Sequence, residues 1–284
     1  MLLLYFIQLK RDNLCWTSGK KCAIIRYSLK KRVESPLFVF KKTKMNPKYN
    51  KEDTIVMSDF HLGSNKSKTK EIIRFLAELV KEPPKRLVLA GDVFELWSTN
   101  YKKIEDHEHR VITLVAQLSE LGTKIVYIPG NHDRAFWAFS KFTFGKIKMR
   151  NEYIVRHNHH RYLVMHGDEF DAFTRNHIVI SILLDQLYIL LVKINTIVRF
   201  FSRSKKSLSA EKHSKKYAEM VAKIRRLAVS YARSRKLSGI IIGHSHWPEI
   251  LIEPDGVVYA NSGDWIDSCS YVVIGDQVHL EYFK

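Results

Sequence analysis

From Thr54 onward the chain alternates between short apolar runs and longer stretches whose apolar residues recur at helical spacing. The runs Thr54–Met57, Arg86–Ala90, Lys124–Ile128, Tyr162–Met165 and Gly239–Ile242 are rich in Ile, Val and Leu and end in polar clusters. Such runs read as strands buried on both faces. Between the first three, Ile72, Ile73, Leu76, Leu79 and Val80 keep one helical face. Val111, Leu114, Val115, Leu118 and Leu121 keep another, ahead of Gly122 as a stop. Alternating strand and helix predicts an α/β fold with central, largely parallel strands. The C-terminal runs Val257–Ala260, Tyr271–Ile274 and Val278–Tyr282 follow one another more closely, which predicts antiparallel pairing.

Two segments break this rhythm. Residues 1–50 open on an apolar stretch but lack the preceding basic region and small-residue cleavage site of a signal peptide. Met45 offers a start shortly before the first strand, so the first 44 residues are expected to be dispensable. The competing reading is a basic arm that associates with membranes. Residues 172–236 lie between two strands of the main fold and carry a long helical pattern, read as an inserted helical cap. An ordinary crossover helix pair is the alternative. Within it, residues 178–201 place Leu183, Leu187, Leu190, Leu191, Ile194 and Val198 on a wide apolar face. A membrane span is disfavoured, because Asp185 and Lys193 would each cost about 2.5 to 3.5 kcal/mol on an insertion scale.

Charge sharpens the division. The 284 residues carry a net charge of +18, which by itself would point to nucleic acid or an anionic surface. Residues 1–50 hold 12 Lys/Arg against 2 Asp/Glu, and residues 172–236 hold 15 against 3. The remainder has 20 against 24 and is mildly acidic. A uniformly basic nucleic-acid binder would look different, which argues against nucleic acid as a partner, and the basic charge belongs to two appendages. Cys15, Cys22 and Cys269 are too few and too scattered for a disulfide framework or a thiolate metal site, which fits a reducing cytosol.

Each of the five buried runs is followed directly by residues able to bind metal: Ser58-Asp59-Phe60-His61, Gly91-Asp92, Gly130-Asn131-His132-Asp133, His166-Gly167-Asp168 and Gly243-His244-Ser245-His246. In an open α/β sheet the carboxyl ends of parallel strands share one edge, so these groups converge. A single Asp-x-His or Gly-Asp is more often a surface turn than a site, and a lone His is commonly structural. Five in order at strand ends are not explained that way. Mixed oxygen and imidazole donors suit manganese, iron or zinc better than calcium. Asp168 and Asp171 could orient imidazoles, accept hydrogen bonds from a sugar or cap helices. Asn261 to Trp265 form another polar turn, either near the site or a plain hairpin turn.

The order SDFHLGS, LAGDVFELW, PGNHD, MHGDEFD and GHSHWP resembles the calcineurin-like metallophosphoesterase superfamily over about residues 53–283. GDVFELW, HGDEFD, the long insertion and NSGDWI further resemble the UDP-2,3-diacylglucosamine diphosphatase group of lipid A synthesis. Some members of that group carry Arg after the Asn of the third motif, where this chain has His132. The resemblance implies a four-layer α/β/β/α sandwich with a helical cap and two divalent metal ions, Mn2+ first, with Fe2+ or Zn2+ as alternatives. It implies Asp59, His61 and His246 on one metal, Asn131, His166 and His244 on the other, and Asp92 bridging. His132 would act on the phosphate as the catalytic residue. Attack on the nucleotide-side phosphorus would release UMP and diacylglucosamine 1-phosphate. Asp168, Asp171, Leu187 and Leu191 are the expected substrate contacts, the two leucines through acyl chains. The expected location is the cytoplasm, with peripheral contact at the anionic inner face of a membrane through Arg199, Arg203, Lys205 and Lys206. The competing functions are a phosphodiesterase on cyclic nucleotides or nucleic acid, and a non-catalytic scaffold with this fold.

Overall fold

The computed structural model describes residues 49–96, 106–139, 141–144, 146–171 and 215–284. Their strands are β1 (Thr54–Met57), β2 (Arg86–Ala90), β3 (Lys124–Ile128), β4 (Thr143–Phe144), β5 (Ile147–Met149), β6 (Tyr153–His157), β7 (His160–Val164), β8 (Gly239–Ile242), β9 (Glu249–Ile252), β10 (Val258–Asn261), β11 (Ser270–Ile274) and β12 (Val278–Tyr282). The helices are α1 (Thr69–Lys81), α2 (Asp106–Glu120) and α3 (Lys215–Ser234). One sheet has the order β12-β11-β1-β2-β3-β5-β4 and the other β6-β7-β8-β10-β9. Both are mixed. Parallel pairing joins β1 to β2 and β2 to β3 in the first sheet, and β7 to β8 and β8 to β10 in the second.

The apolar runs are continuous because each strand is covered twice. Side chains alternate across a strand, so Ile55, Met57, Leu87 and Leu89 face outward onto Ile72, Leu76, Leu79, Leu114 and Leu118 of α1 and α2. Val56, Val88 and Val126 face inward and meet Val164, Ile241 and Ala260 of the second sheet. On that sheet's far face, Leu163, Ile240 and Ile242 pack against Ile224, Ala228, Val229 and Ala232 of α3. Truncating any of the buried leucines to Ala would cost about 2 to 5 kcal/mol. Helix α1 has local support as well. Glu71 lies in its first turn and Lys81 in its last, matching the helix dipole, and Pro83 and Pro84 prevent its continuation.

One expectation changes here. The C-terminal runs do not form one antiparallel unit: β10 is parallel to β8 and antiparallel to β9, while β11 and β12 pair antiparallel and add to β1 in the other sheet. The segment 172–236, expected as an inserted cap or a crossover helix pair, is described only from residue 215. Residues 215–234, read as part of a 172–236 cap, form α3, which covers the second sheet within the crossover from β7 to β8. Two of its arginines are matched, Arg225 with Glu249 at 2.8 Å and Arg233 with Asp255 at 2.6 Å, and Arg235 just beyond it pairs with Glu152 at 2.6 Å. The apolar helix expected over 178–201, with Leu187 and Leu191, lies outside the described residues, as does most of the N-terminal extension. Among the described residues no helix is long and apolar enough to cross a membrane.

Candidate metal centre

The turns after β1, β2, β3, β7 and β8 meet at one edge of the two stacked sheets. Beyond β1 and β2 the chains stay paired: Asp59 N–H donates to the Gly91 carbonyl at 3.0 Å, His61 N–H to Asp92 at 2.9 Å and Leu62 N–H to Val93 at 2.9 Å. The backbone is unusual at this edge. Asp59, His61, Asp92, His244 and His246 all have positive φ, five of the eight non-glycine residues that do so among those described. Each such residue costs about 1 to 3 kcal/mol and persists only where its surroundings over-determine it. Gly91 and Gly130 allow the closest approaches, since a Cβ on the first would fall on the His166 imidazole and one on the second on the Asp92 carboxylate.

Three imidazoles are held from behind by hydrogen bonds, and a fourth, His246, stands near a carboxylate. His61 Nδ1 is 3.0 Å from Glu95 Oε2, His166 Nδ1 is 2.9 Å from the Ala90 carbonyl, His244 Nε2 is 3.4 Å from Asp171 Oδ2, and His246 Nδ1 is 3.7 Å from Asp264 Oδ2. Carbonyls and carboxylates accept, so once these rings are neutral the outer nitrogens carry the hydrogen and the inner ones turn lone pairs to the centre. There they converge on one another and on carboxylate and amide oxygens. His61 Nε2 and His246 Nε2 are 3.3 Å apart, and His166 Nε2 lies 3.2 Å from both Asn131 Oδ1 and Asp92 Oδ2. His244 Nδ1 is 3.1 Å from the same Asn131 oxygen. Asp59 Oδ1 is buried without a hydrogen-bond donor. Converging acceptors in a buried site require positive charge.

Cations fit that requirement. Asp59, His61 and His246 form one group whose donor atoms lie within 4.8 Å of one another, and Asp92, His166 and His244 form a second. His61, Asp92 and His132 overlap both. The oxygen and imidazole donors match manganese, iron or zinc.

The electrostatics agree. Burial pushes the Asp92 carboxyl up, but the charge and hydrogen bond of His166, with His132 and His61 nearby, hold it well below the usual carboxylate range. Glu95 is also held low, because hydrogen bonds from His132 and His61 outweigh its burial. Asp133, buried beside Asp92, is pushed up to about 6. Burial disfavours the His166 and His246 imidazolium forms, yet Asp92 raises the first and Asp59 the second above the ordinary histidine value. The metal-free site therefore holds protons on imidazoles that cations must displace. Metal uptake should release protons, and apparent affinity should rise with pH, roughly tenfold per pH unit for each proton displaced. Calorimetric titration with Mn2+ in two buffers of different ionisation enthalpy measures the release; a pH-independent affinity without proton release would contradict it.

All eight residues of the expected metal and catalytic set are gathered here. His132 stands beside the centre, its Nδ1 2.9 Å from Glu95 Oε1 and its backbone N–H donating to Asp92 Oδ1 at 2.8 Å. Asp171 backs His244. Asp168 instead pairs with Arg134 at 3.0 Å, and that guanidinium lies over the Trp137 ring at 4.7 Å. The pair ties the turn after β3 to the turn after β7. The Asn261 to Trp265 turn does approach the site: Ser262 Oγ is 2.7 Å from Ser58 Oγ, Trp265 N–H donates to the Asp59 carbonyl at 3.0 Å, and Asp264 backs His246. The residue that sequence reasoning passed over is Glu95. It lies within GDVFELW, three positions after Asp92, where the continued pairing of the two turns brings it beside His61.

Comparison with known proteins adds a family. The calcineurin-like phosphoesterase profile matches residues 53–257. The UDP-2,3-diacylglucosamine hydrolase of Ralstonia nicotianae is 25% identical over 226 residues, 74% of this chain and 82% of that one. The protein of the same description in Proteus mirabilis is 26% identical over 243 residues, 81% of this chain and 98% of that one. Among solved structures, Vps29 of Chaetomium thermophilum aligns with a TM-score of 0.42 and 9% identity over 81% of this chain and 96% of its own. A dimetal phosphatase from Danio rerio aligns with a TM-score of 0.38 and 10% identity over 83% and 100%.

Proposed function

This chain belongs to the calcineurin-like phosphoesterase family, and on that premise we propose that it is a two-metal hydrolase of a phosphoanhydride or phosphodiester bond. The observation that carries the reading is the convergence of imidazole nitrogens with carboxylate and amide oxygens at one buried edge, three of the imidazoles held by an acceptor behind them. Asp59, His61 and His246 hold one divalent cation, Asn131, His166 and His244 the other, and Asp92 bridges them. Mn2+ is the proposed metal, with Fe2+ or Zn2+ as alternatives.

Divalent cations bound there supply Lewis acidity, neutralise phosphoryl charge and lower the pKa of water. The side chains do the remainder. Asp92 would serve both cations and accepts the His132 backbone N–H on Oδ1, so the bridge and the acid would be built on one contact. Glu95 fixes the His132 ring by its Nδ1, and the ring would act on the substrate phosphate or its leaving oxygen. The chemistry needs no covalent intermediate on the enzyme.

For the substrate we propose a UDP-linked diacylated glucosamine, cleaved to UMP and the diacylated sugar 1-phosphate. Support comes from the names of the two relatives at 25% and 26% identity and from the GDVFELW and HGDEFD motifs. In this reading Leu187 and Leu191 contact acyl chains, and the enzyme draws its substrate from the inner face of a membrane. The test is turnover with Mn2+ of UDP-2,3-diacylglucosamine, its deacylated form, cyclic nucleotides and bis-p-nitrophenyl phosphate. The diacylated substrate should lead in kcat/KM by at least about tenfold, the worth of even one or two buried methylenes. Preference for a cyclic nucleotide would overturn the substrate and leave the metals standing. No turnover by a fully metal-loaded sample would favour a scaffold.

A further inference from the structure

The turn Gly243–His246 presents two of the inward-facing imidazoles on a backbone that disfavours them. His244 has φ of 63° and His246 of 50°, with Ser245 between. Left-handed conformations at two bulky residues in one turn need fastening from outside. The first half is fastened from the interior. Asn261, fully buried at the end of β10, donates Nδ2 to the Gly243 carbonyl at 2.7 Å and to Ser245 Oγ at 3.0 Å. The His244 N–H donates to Asp59 Oδ2 at 3.1 Å. None of these contacts reaches the peptide between Ser245 and His246.

That peptide is held from the other side. The Tyr217 hydroxyl, near the start of α3, donates to the Ser245 carbonyl, and the Tyr217 ring lies 6.0 Å from the Trp247 ring at 48°. The Ser245 carbonyl belongs to the peptide plane whose rotation is the φ of His246. Fixing the carbonyl therefore fixes the direction in which the His246 side chain leaves the backbone. His246 in turn has little else to aim it: Asp264 stands 3.7 Å behind Nδ1, beyond a good hydrogen bond, while Nε2 faces Asp59 Oδ1 at 3.1 Å.

We propose that Tyr217 is a positioning residue for the metal centre, its hydroxyl holding the Ser245–His246 peptide so that His246 Nε2 turns toward Asp59 and His61. The inference rests on the two-metal reading and adds a residue from outside the five ligand-bearing turns. It makes α3 more than a cover for the second sheet. Only one of the two cation positions contains His246, so the loss should be confined to that position.

The test is Tyr217→Phe, which removes the hydroxyl and keeps the ring beside Trp247. Tyr231→Phe is the matched control, since the Tyr231 hydroxyl on the same helix contacts Arg235 at 3.2 Å and not the turn. Each full-length, metal-stripped protein is titrated with Co2+ and followed by its visible absorption. Wild type and Tyr231→Phe should show two binding steps. In Tyr217→Phe one step should weaken by about 10- to 100-fold, the range for losing an outer support of a metal ligand. Its cobalt spectrum should change, and excess metal should restore turnover. Two unaltered steps in Tyr217→Phe would overturn the proposal and leave the two-metal reading intact. Equal weakening of both steps with a lowered metal-free Tm would overturn it in favour of general support for the fold. If wild type itself bound no Co2+, the two-metal reading would fail first.

Discussion

Asp92→Asn is expected to lower hydrolysis by at least about 10³-fold while the secondary structure and melting transition survive. Asp92 belongs to two of the three donor groups, that of His61 and His132 and that of His166 and His244, with Oδ2 3.2 Å from His166 Nε2 and Oδ1 2.8 Å from the His132 N–H. The amide keeps the shape and can still accept from His132. What disappears is a full negative charge at the point where two cations must share one ligand. Loss of an outer partner costs about 10- to 100-fold in metal affinity or activity, and a bridging ligand stands closer. Forfeiting about 4 kcal/mol of phosphoryl charge stabilisation corresponds to about 10³ in rate. The fold should persist because Asp92 sits at the sheet edge, clear of the three apolar clusters that hold the layers together. Removing its charge also relieves Asp133, which burial and Asp92 together push up to about 6. Metal content by mass spectrometry, circular dichroism and turnover decide the matter. Unchanged turnover with both cations retained would end the bridging assignment.

The strands carrying the ligands were legible because each is covered on both faces, and burial on both faces writes itself as an unbroken apolar run. Thr54–Met57, Arg86–Ala90, Lys124–Ile128 and Gly239–Ile242 are strands at the limits their runs predict. Edge strands leave no such trace. Strand β9 has Ile252 73% exposed, and β4 and β5 are only two and three residues long, so neither alternation nor length marks them. Sheet membership was hidden for another reason: β10 follows β9 closely in sequence but also pairs with β8, and that pairing is set by the stacking of two sheets rather than by local pattern. Helix α3 misled through charge. Its lysines and arginines read locally as a basic surface, yet Glu249, Glu253 and Asp255 pair with two of its arginines, and Glu152 with Arg235 just beyond it. The proposed metal ligands stand out in the sequence because their types are chemically distinctive and fall at strand ends. Their supports, Glu95, Asp264 and Tyr217, have ordinary surface identities and acquire a role only when folding brings them to an imidazole or a carbonyl.

The second large effect should come from His132→Asn, and its size should depend on the leaving group. The imidazole is fixed by Glu95 at 2.9 Å and lies edge-on to His61 with ring centroids 4.8 Å apart, so it has one orientation beside the centre. Burial disfavours its charge, but the Glu95 hydrogen bond and the nearby Asp92 carboxylate raise its pKa above the ordinary histidine value. Such a group can give a proton to a departing oxygen, a contribution of about 10²- to 10⁴-fold. A leaving group that is already stable as an anion needs no proton. Hydrolysis of a diester with an alkyl or sugar leaving group should therefore fall by about 10²- to 10⁴-fold in His132→Asn, while that of bis-p-nitrophenyl phosphate falls far less. Glu95→Gln should reproduce the leaving-group pattern in weaker form, with some loss of metal through His61. A residue that merely bound the phosphate would slow both substrates alike. Equal losses for the alkyl and nitrophenyl esters would thus assign His132 to phosphate binding and remove it as the acid.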